Sequence, residues 1–517
     1  MSKTYIASED TQVQIKNLVS QIGTKMGNVA SDSTATQIKN LVSQINDKIG
    51  STNGNGITPF ITVYAPTGCN VSIHNANTSI VLPETGSGTG IYQGSVPHFG
   101  AWKVNCTKDN HTGSQTIQVT ELTNYNVKTS YGQRYGYRIK KTEGNPYARV
   151  EYLFDAVGKT PAHMDFTRGA FSYGDWGDLW FITDNKPLML KRNGTVDYYL
   201  KPDELSKKID GTASDITNVN YDGNAMAQFP LVWVKRYEDN DYIYEIVSNV
   251  QYDDTYKAYA HTRADGSIAD YFYWSIYGGS GDANKIRSLS GKTLANSLNA
   301  QQEINGCKAN GTGWYTHTWS QHELIRTLLI LMGKSTDTQS VFGNGNCRSA
   351  SSAGGMLSTG TLNNMGQFFG YNDYTHQVKV FHVEKFWGDQ WDRTAGLIYY
   401  NNKVHVKMTP EGDGYRVTDV TGYTNTSITL SGSSGGYISE CECSKYGMIP
   451  SIASGSGTTY YCDGTWFSSG TNYLLVGASA HLASALGGAF SFDVDDAPSG
   501  TGWSIGCGLS CEQPAVA

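Results

Sequence analysis

Two alternating runs near the end of the chain carry its clearest apolar and polar pattern. In the first, Phe490, Phe492 and Val494 share one parity while Ser491, Asp493 and Asp495 share the other, the period-two signature of a strand with one covered face. In the second, Trp503, Ile505, Cys507 and Leu509 alternate with Gly502, Ser504, Gly506 and Gly508. Asp496-Ala497-Pro498-Ser499-Gly500 joins them, and its Pro and Gly mark a turn. The stretch from Tyr473 to Cys511 is therefore expected to hold a strand pair with Phe490, Phe492, Trp503, Ile505 and Cys507 facing inward. Asp493, Asp495, Gly502 and Ser504 are expected outward, where side chains can change without unfolding the protein.

Upstream, the pattern divides the chain. Residues 1–50 contain a direct repeat, Gln14-Ile15-Lys16-Asn17-Leu18-Val19-Ser20-Gln21-Ile22, which recurs from Gln37 to Ile45. Ile15, Leu18, Ile22, Met26 and Val29 fall on one helical stripe, as do Ile38, Leu41, Ile45 and Ile49. Helices this short cannot bury such a stripe alone, so self-association or attachment to a partner is expected. Ser51 to Gly56 reads as a flexible linker. Residues 57–129 turn to strands: Val71 and Ile73, then Trp102, Val104 and Cys106, then Ile117 and Val119 alternate with polar neighbours, which predicts a small β-sandwich. Residues 131–517 are aromatic and irregular, with strand-like segments such as Phe229 to Val234. One helix is predicted from Ser320 to Gly333, with Ser320 and Glu323 as its capping box, Gly333 as its stop and enough apolar residues to be buried against a sheet.

Composition narrows the function classes. At 517 residues the chain has room for several domains and a large core. A net charge of -7 and the lack of a long Lys/Arg run argue against nucleic acid as the main partner. No apolar run of about 18 residues is present, so no membrane insertion is expected. Charged residues are scarce at 16%, whereas 58 Gly, 34 Tyr and 11 Trp suit short strands, tight turns and contact surfaces. The nine cysteines lack paired metal spacing and read as buried free thiols.

Candidate chemistry is thin. His317 and His322 stand five apart and diverge around a helix, so no metal site is expected with Glu323. His382 and Glu384 have no recognisable nucleophile beside them and read as a structural pair. Gly343-Asn344-Gly345-Asn346-Cys347 is not followed by Gly-Lys-Ser/Thr and is no phosphate loop. Asp493, Asp495 and Asp496 lack the EF-hand spacing and its distal Glu, and no calcium is expected there. No catalytic residue, metal or cofactor follows from the residues.

The residues nevertheless carry a resemblance. The run Leu474-Leu475-Val476-Gly477, then Gly488-Ala489-Phe490, Ala497-Pro498-Ser499, Trp503 and Ile505-Gly506-Cys507-Gly508-Leu509-Ser510 resembles the ending of C-type-lectin-fold proteins diversified by retroelements in phages of gut bacteria. Gly313-Trp314, the helix from Ser320, Asp337-Thr338-Gln339-Ser340 and Glu384-Lys385-Phe386-Trp387-Gly388 are similar to the same group, which shares its fold with formylglycine-generating enzymes. Ala65-Pro66-Thr67-Gly68 and Gly100-Ala101-Trp102-Lys103-Val104 resemble immunoglobulin-like spacer modules. The sequence departs from the pattern at Gly477-Ala478-Ser479-Ala480, where related proteins often have a second Gly and a Trp.

The resemblance implies an α+β fold: short N-terminal helices, an immunoglobulin-like β-sandwich and a C-terminal C-type-lectin-like domain. It implies a ligand face at His481, Leu482, Ala485, Asp493, Asp495, Asp496, Gly500, Gly502 and Ser504, with Phe467, Ser468 and Asn472 as further candidates in the preceding loop. The implied function is attachment: a virion tail protein, expected as a homotrimer beside other virion tail proteins, binding a bacterial surface protein or glycan without catalysis. The rival classes are a non-binding virion decoration protein and an enzyme of the formylglycine-generating type, which needs a reactive cysteine pair.

Overall fold

The structure is a computed structural model, and it describes residues 58–108, 111–129, 131–482 and 486–515. The repeated helical segment, the linker after it and Ala485 lie outside the described residues. The chain divides into two compact units, residues 1–132 and 133–517. The described residues are mainly β-sheet with few helices, so the expected α+β class reduces to a β-rich fold.

The first unit is built from two small sheets that share one core. Phe60–Tyr64 is the central strand of a three-stranded sheet, antiparallel to Ile91–Ser95 and parallel to Asn124–Lys128. Ser79–Leu82, Asn70–His74, Gly100–Lys108 and His111–Val119 form the other sheet in that order. The alternation predicts the covered positions: Val71, Ile73, Trp102, Val104, Cys106 and Val119 are buried, and Ile117 is half-buried against them. The Trp102 indole, the largest of these, satisfies its N–H on the His98 carbonyl at 3.0 Å.

The second unit contains a four-stranded, a seven-stranded and a ten-stranded sheet. Its described helices are α1 (Trp180–Thr183), α2 (Ala300–Lys308), α3 (Trp319–Gly333) and α4 (Thr338–Phe342). All fifteen residues of α3 are buried, as its apolar density predicts, and it packs on strands Arg134–Lys140, Trp391–Tyr400 and Gly447–Ala453. Its cap differs from the expected one. The helix begins a residue earlier, with Thr318 at the N-cap and Gln321 Oε1 accepting the Thr318 N–H at 3.3 Å. Glu323 serves other contacts instead, pairing with Arg326 three residues along the same helix at 2.5 Å and accepting the Met448 N–H from a distant strand at 2.7 Å. Gly333 is the last helical residue, and the left-handed position falls on Lys334, φ 50°. Phe229 to Val234 is not one strand: Gly223–Pro230 ends before Leu231 and Trp233–Glu238 enters a different sheet.

Candidate functional site

The strand Phe492–Val494 lies inside the ten-stranded sheet, antiparallel to Thr471–Val476 and parallel to Gly464–Phe467. Phe492 and Val494 join Trp319, Leu474 and Val476 in the core beneath α3. Asp493 takes the other face, as its parity requires, with Trp466 and Leu475 as its register partners. That face is covered: Asp493 is only 6% exposed, so its expected outward, solvated position is corrected. A strand paired on both edges, with large neighbours on both faces, buries either parity. Burial first, and then the charge of Asp495, holds the Asp493 carboxyl well above the usual carboxylate range.

The two terminal runs are not a hairpin. Ile505–Gly506 runs parallel to the start of Trp391–Tyr400, while Leu509–Glu512 enters the seven-stranded sheet between Tyr271–Ser275 and Trp314–Thr316. Ile505, Cys507 and Leu509 are buried as predicted, but Trp503 precedes the strand, is only half-buried and meets the His481 ring edge-on at 5.8 Å. Trp503 therefore belongs to the accessible face rather than to the scaffold.

Around these residues lies an aromatic patch that the sequence reading missed. Trp466 packs edge-on against Trp391 at 5.3 Å, and Tyr374, Trp466 and Leu482 are partly buried against Trp391, Leu475 and Ile505. The excess of aromatic residues was the available signal, but nothing local tells an aromatic on this face from one in the core. Asp495 and His481 are exposed; Leu482, Asp496, Gly500, Gly502 and Ser504 are half-buried. Asp493, Asp495 and Asp496 bring carboxylate oxygens within 4.8 Å of one another, because Asp493 and Asp495 share a parity and the chain turns at Asp496. Among the described residues this is the group whose spacing could hold a cation. Asn472 is not a free contact residue: it is buried, and its amide donates to the Ser468 and Val494 carbonyls, both at 2.8 Å. Ser468 is exposed and its hydroxyl donates to the Asp495 carbonyl, while Phe467 packs partly on the core.

The main-chain carbonyl is taken by a donor at six of the candidate positions, and at four of them the donor lies outside the segment and the loop before it. The Ser349 N–H donates to the Leu482 carbonyl at 3.0 Å, the Ser468 hydroxyl to Asp495 at 3.1 Å and the Tyr473 N–H to Asp496 at 3.0 Å. Arg393 donates to the Gly500 carbonyl at 3.1 Å, the Ser297 N–H to Gly502 at 3.0 Å and the Trp391 N–H to Ser504 at 2.8 Å. Arg393 is itself fixed by a buried ion pair with Glu303 at 2.7 Å. At Leu482, Gly500, Gly502 and Ser504 the backbone is thus held by framework donors outside the segment, whereas at Asp495 it is held by the side chains of Ser468 and Asp493, themselves candidates.

The glycines separate along the same line. A Cβ on Gly502 would meet nothing closer than 3.6 Å, an ordinary contact. One on Gly506 would lie 2.2 Å from Gln390 Oε1, and one on Gly508 1.9 Å from the His317 ring. Ala478 occupies the left-handed region at φ 67°, beside Gly477 at φ 83°.

Other candidate chemistry is enclosed. Ser275 Oγ lies 3.0 Å from His317 Nε2, and His317 Nδ1 lies 3.6 Å from Asp392, the order of a nucleophile, base and acid. All three are buried, Lys385 pairs with Asp392 at 2.8 Å, and Ser275 Oγ accepts the Leu509 N–H. Burial lowers the basicity of His317. His322 stacks on Phe386 at 5.0 Å, and burial lowers its pKa well below the usual value. Glu384 accepts the Gly360 and Leu362 N–H groups at 2.6 and 2.7 Å, and His382 sits at a turn with φ 64°. The nine cysteines are buried as free thiols, and Cys507 lies 3.9 Å from Cys307. No protein-family model matches the chain, and no curated protein is similar to it at a significant level.

Proposed function

We propose that this chain is a virion-associated receptor-binding protein. In this reading, residues 131–517 form a C-type-lectin-like domain that recognises a bacterial surface protein or glycan, residues 57–129 an immunoglobulin-like spacer, and residues 1–50 an attachment or trimerisation segment. The observation that carries it is the separation of backbone from side chain in the terminal segment: four carbonyls, of Leu482, Gly500, Gly502 and Ser504, held by outside donors at positions proposed to vary. A surface built this way can change its ligand without changing its fold. Trp466, Trp503 and Tyr374 add rigid, half-exposed contact area, the usual anchors of a recognition surface. Three copies on one virion would raise the effective concentration of a weak site.

The test is a library randomised at Leu482, Asp495, Gly500, Gly502 and Ser504, screened for capture on a panel of bacterial cells. Folded variants with altered cell preference are expected. A wild-type protein that captures no cell, together with folded variants that capture none, would support the decoration role instead. In the source DNA, a near-copy of the last 40 or so codons differing only at adenines, beside a reverse transcriptase gene, is the matching genetic expectation.

A further inference from the structure

The second unit buries four arginines deeply, and one of them differs from the others. Arg326, Arg393 and Arg236 each face a carboxylate at 2.5 to 2.7 Å: Glu323, Glu303 and Glu245. Arg149 is 1% exposed, yet no carboxylate among the described residues is paired with it. Its Nε and Nη1 have no hydrogen-bond partner, and Nη2 makes only long contacts to the Lys140 and Lys141 carbonyls at 3.4 and 3.5 Å. The rings of Tyr461 and Tyr460, at 4.4 and 5.4 Å, lie against its guanidinium. Ring faces attract a cation but leave its N–H groups without acceptors. A buried cation with unpaired donors is costly unless a counter-charge reaches it.

Arg149 lines a cavity of 270 Å³ together with Lys141, Ser439 and Ser451. Lys141 is partly exposed and pairs with Glu238 at 3.2 Å. Glu440 and Glu442 line the same cavity at exposed positions, where water weakens their charge without removing it. None of the lining residues belongs to the terminal candidate segment. The geometry points to a second ligand site here: a pocket for the oxyanion group of a small ligand, a carboxylate or a phosphate, received by the unpaired donors of Arg149. Nε–H and the weakly held Nη2 share the side-on edge of the planar guanidinium, which matches either group, and Nη1 adds a donor on the other side. The volume accommodates a single sugar or a free anion. The carboxylates of Glu440 and Glu442 can accept hydrogen bonds from ligand hydroxyls and oppose ligands of high negative charge.

The experiment is calorimetric titration and thermal unfolding of the full chain with glucuronate and, separately, inorganic phosphate, against chloride at equal ionic strength. Saturable binding of either supports the pocket, and the tighter of the two identifies the source as sugar acid or phosphoryl group. Arg149→Met is expected to weaken that binding at least tenfold and, in anion-free buffer, to unfold no earlier than the wild type. Lys141→Met, at a partly exposed position, is expected to weaken it at least threefold, and it serves as the reporting variant if Arg149→Met does not fold. Failure of both anions to bind the wild type would overturn the inference. So would unchanged affinity in the reporting variant, or an Arg149→Met protein that binds nothing less but melts far earlier, which would make Arg149 a structural cation held by its tyrosines.

Discussion

The His317 imidazole lies stacked on the Trp274 indole, with ring centroids 3.5 Å apart and planes 14° from parallel. Gly508 also abuts the ring, and a Cβ there would stand 1.9 Å from His317 Cε1. The ring has no room to retreat. Gly508→Ala is expected to lower stability by about 3 kcal/mol through overpacking, while Gly502→Tyr stays within about 0.5 kcal/mol of the wild type. Urea unfolding midpoints check this, and equal losses at the two glycines would contradict the split between fixed and variable positions.

Asp493 and Asp495 are two residues apart and take different roles. The folded-state pKa of Asp493 is raised, so the folded protein holds a proton that the unfolded chain releases, and stability contributed by that proton is lost as pH rises past the normal carboxylate range. Asp493→Asn is expected to unfold at a higher temperature than the wild type at pH 8, with the advantage shrinking toward pH 4. Asp495→Ala, exposed, is expected to alter cell capture with little change in melting temperature. The outcome to look for against this is an Asp495→Ala protein whose stability collapses.

His261 is buried against Phe272 at 5.0 Å with neither ring nitrogen bonded, and burial lowers its pKa to about 3. Below pH 6.5 the unfolded chain takes up a proton that the folded one refuses, so stability falls as pH drops from 6.5 toward 3. His261→Phe removes that slope. At pH 5 it is expected to gain about 2 kcal/mol on the wild type relative to their difference at pH 7.5. Parallel stability curves for the two proteins across that interval would show that His261 does not titrate as described.

Thiol and hydroxyl reactivity separates binding from catalysis. The Cys307 neighbour and burial hold the Cys507 thiol well above its usual pKa, and burial raises Cys511 as well. Both are expected to react with iodoacetamide only after unfolding, and Ser275 is expected to resist a fluorophosphonate probe. Rapid native labelling at Cys507, or at Ser275, would revive an enzymatic reading.

Much of the fold was legible because strand parity is a local property. Val71, Ile73, Trp102 and Val104 in the first unit, and Phe492, Val494, Ile505, Cys507 and Leu509 in the second, are buried where alternation places them. The helix Trp319–Gly333 was legible from its apolar density. Its cap was not, because Thr318 and Gln321 form the box two residues earlier and Glu323 accepts the Met448 N–H, a partner 125 residues away that no capping motif can weigh. Asp495 is exposed, as its parity predicts, whereas Asp493 and Trp503 exchange character: the carboxylate is covered and the indole is accessible.

The sequence by itself determined which side of each strand an apolar residue occupies, since successive side chains must point to opposite faces. It could not determine which sheet a strand joins or what lies over the second face, because those depend on pairing partners tens to hundreds of residues away. Only the tertiary structure decided that Ile505–Gly506 runs beside Trp391 while Leu509–Glu512 crosses to another sheet. It alone brought Ser297, Ser349, Trp391 and Arg393 to the carbonyls of the terminal segment, and left Arg149 buried without a carboxylate partner among the described residues. Distant donors and buried charges carry no local signature, so they become visible only when the chain is folded.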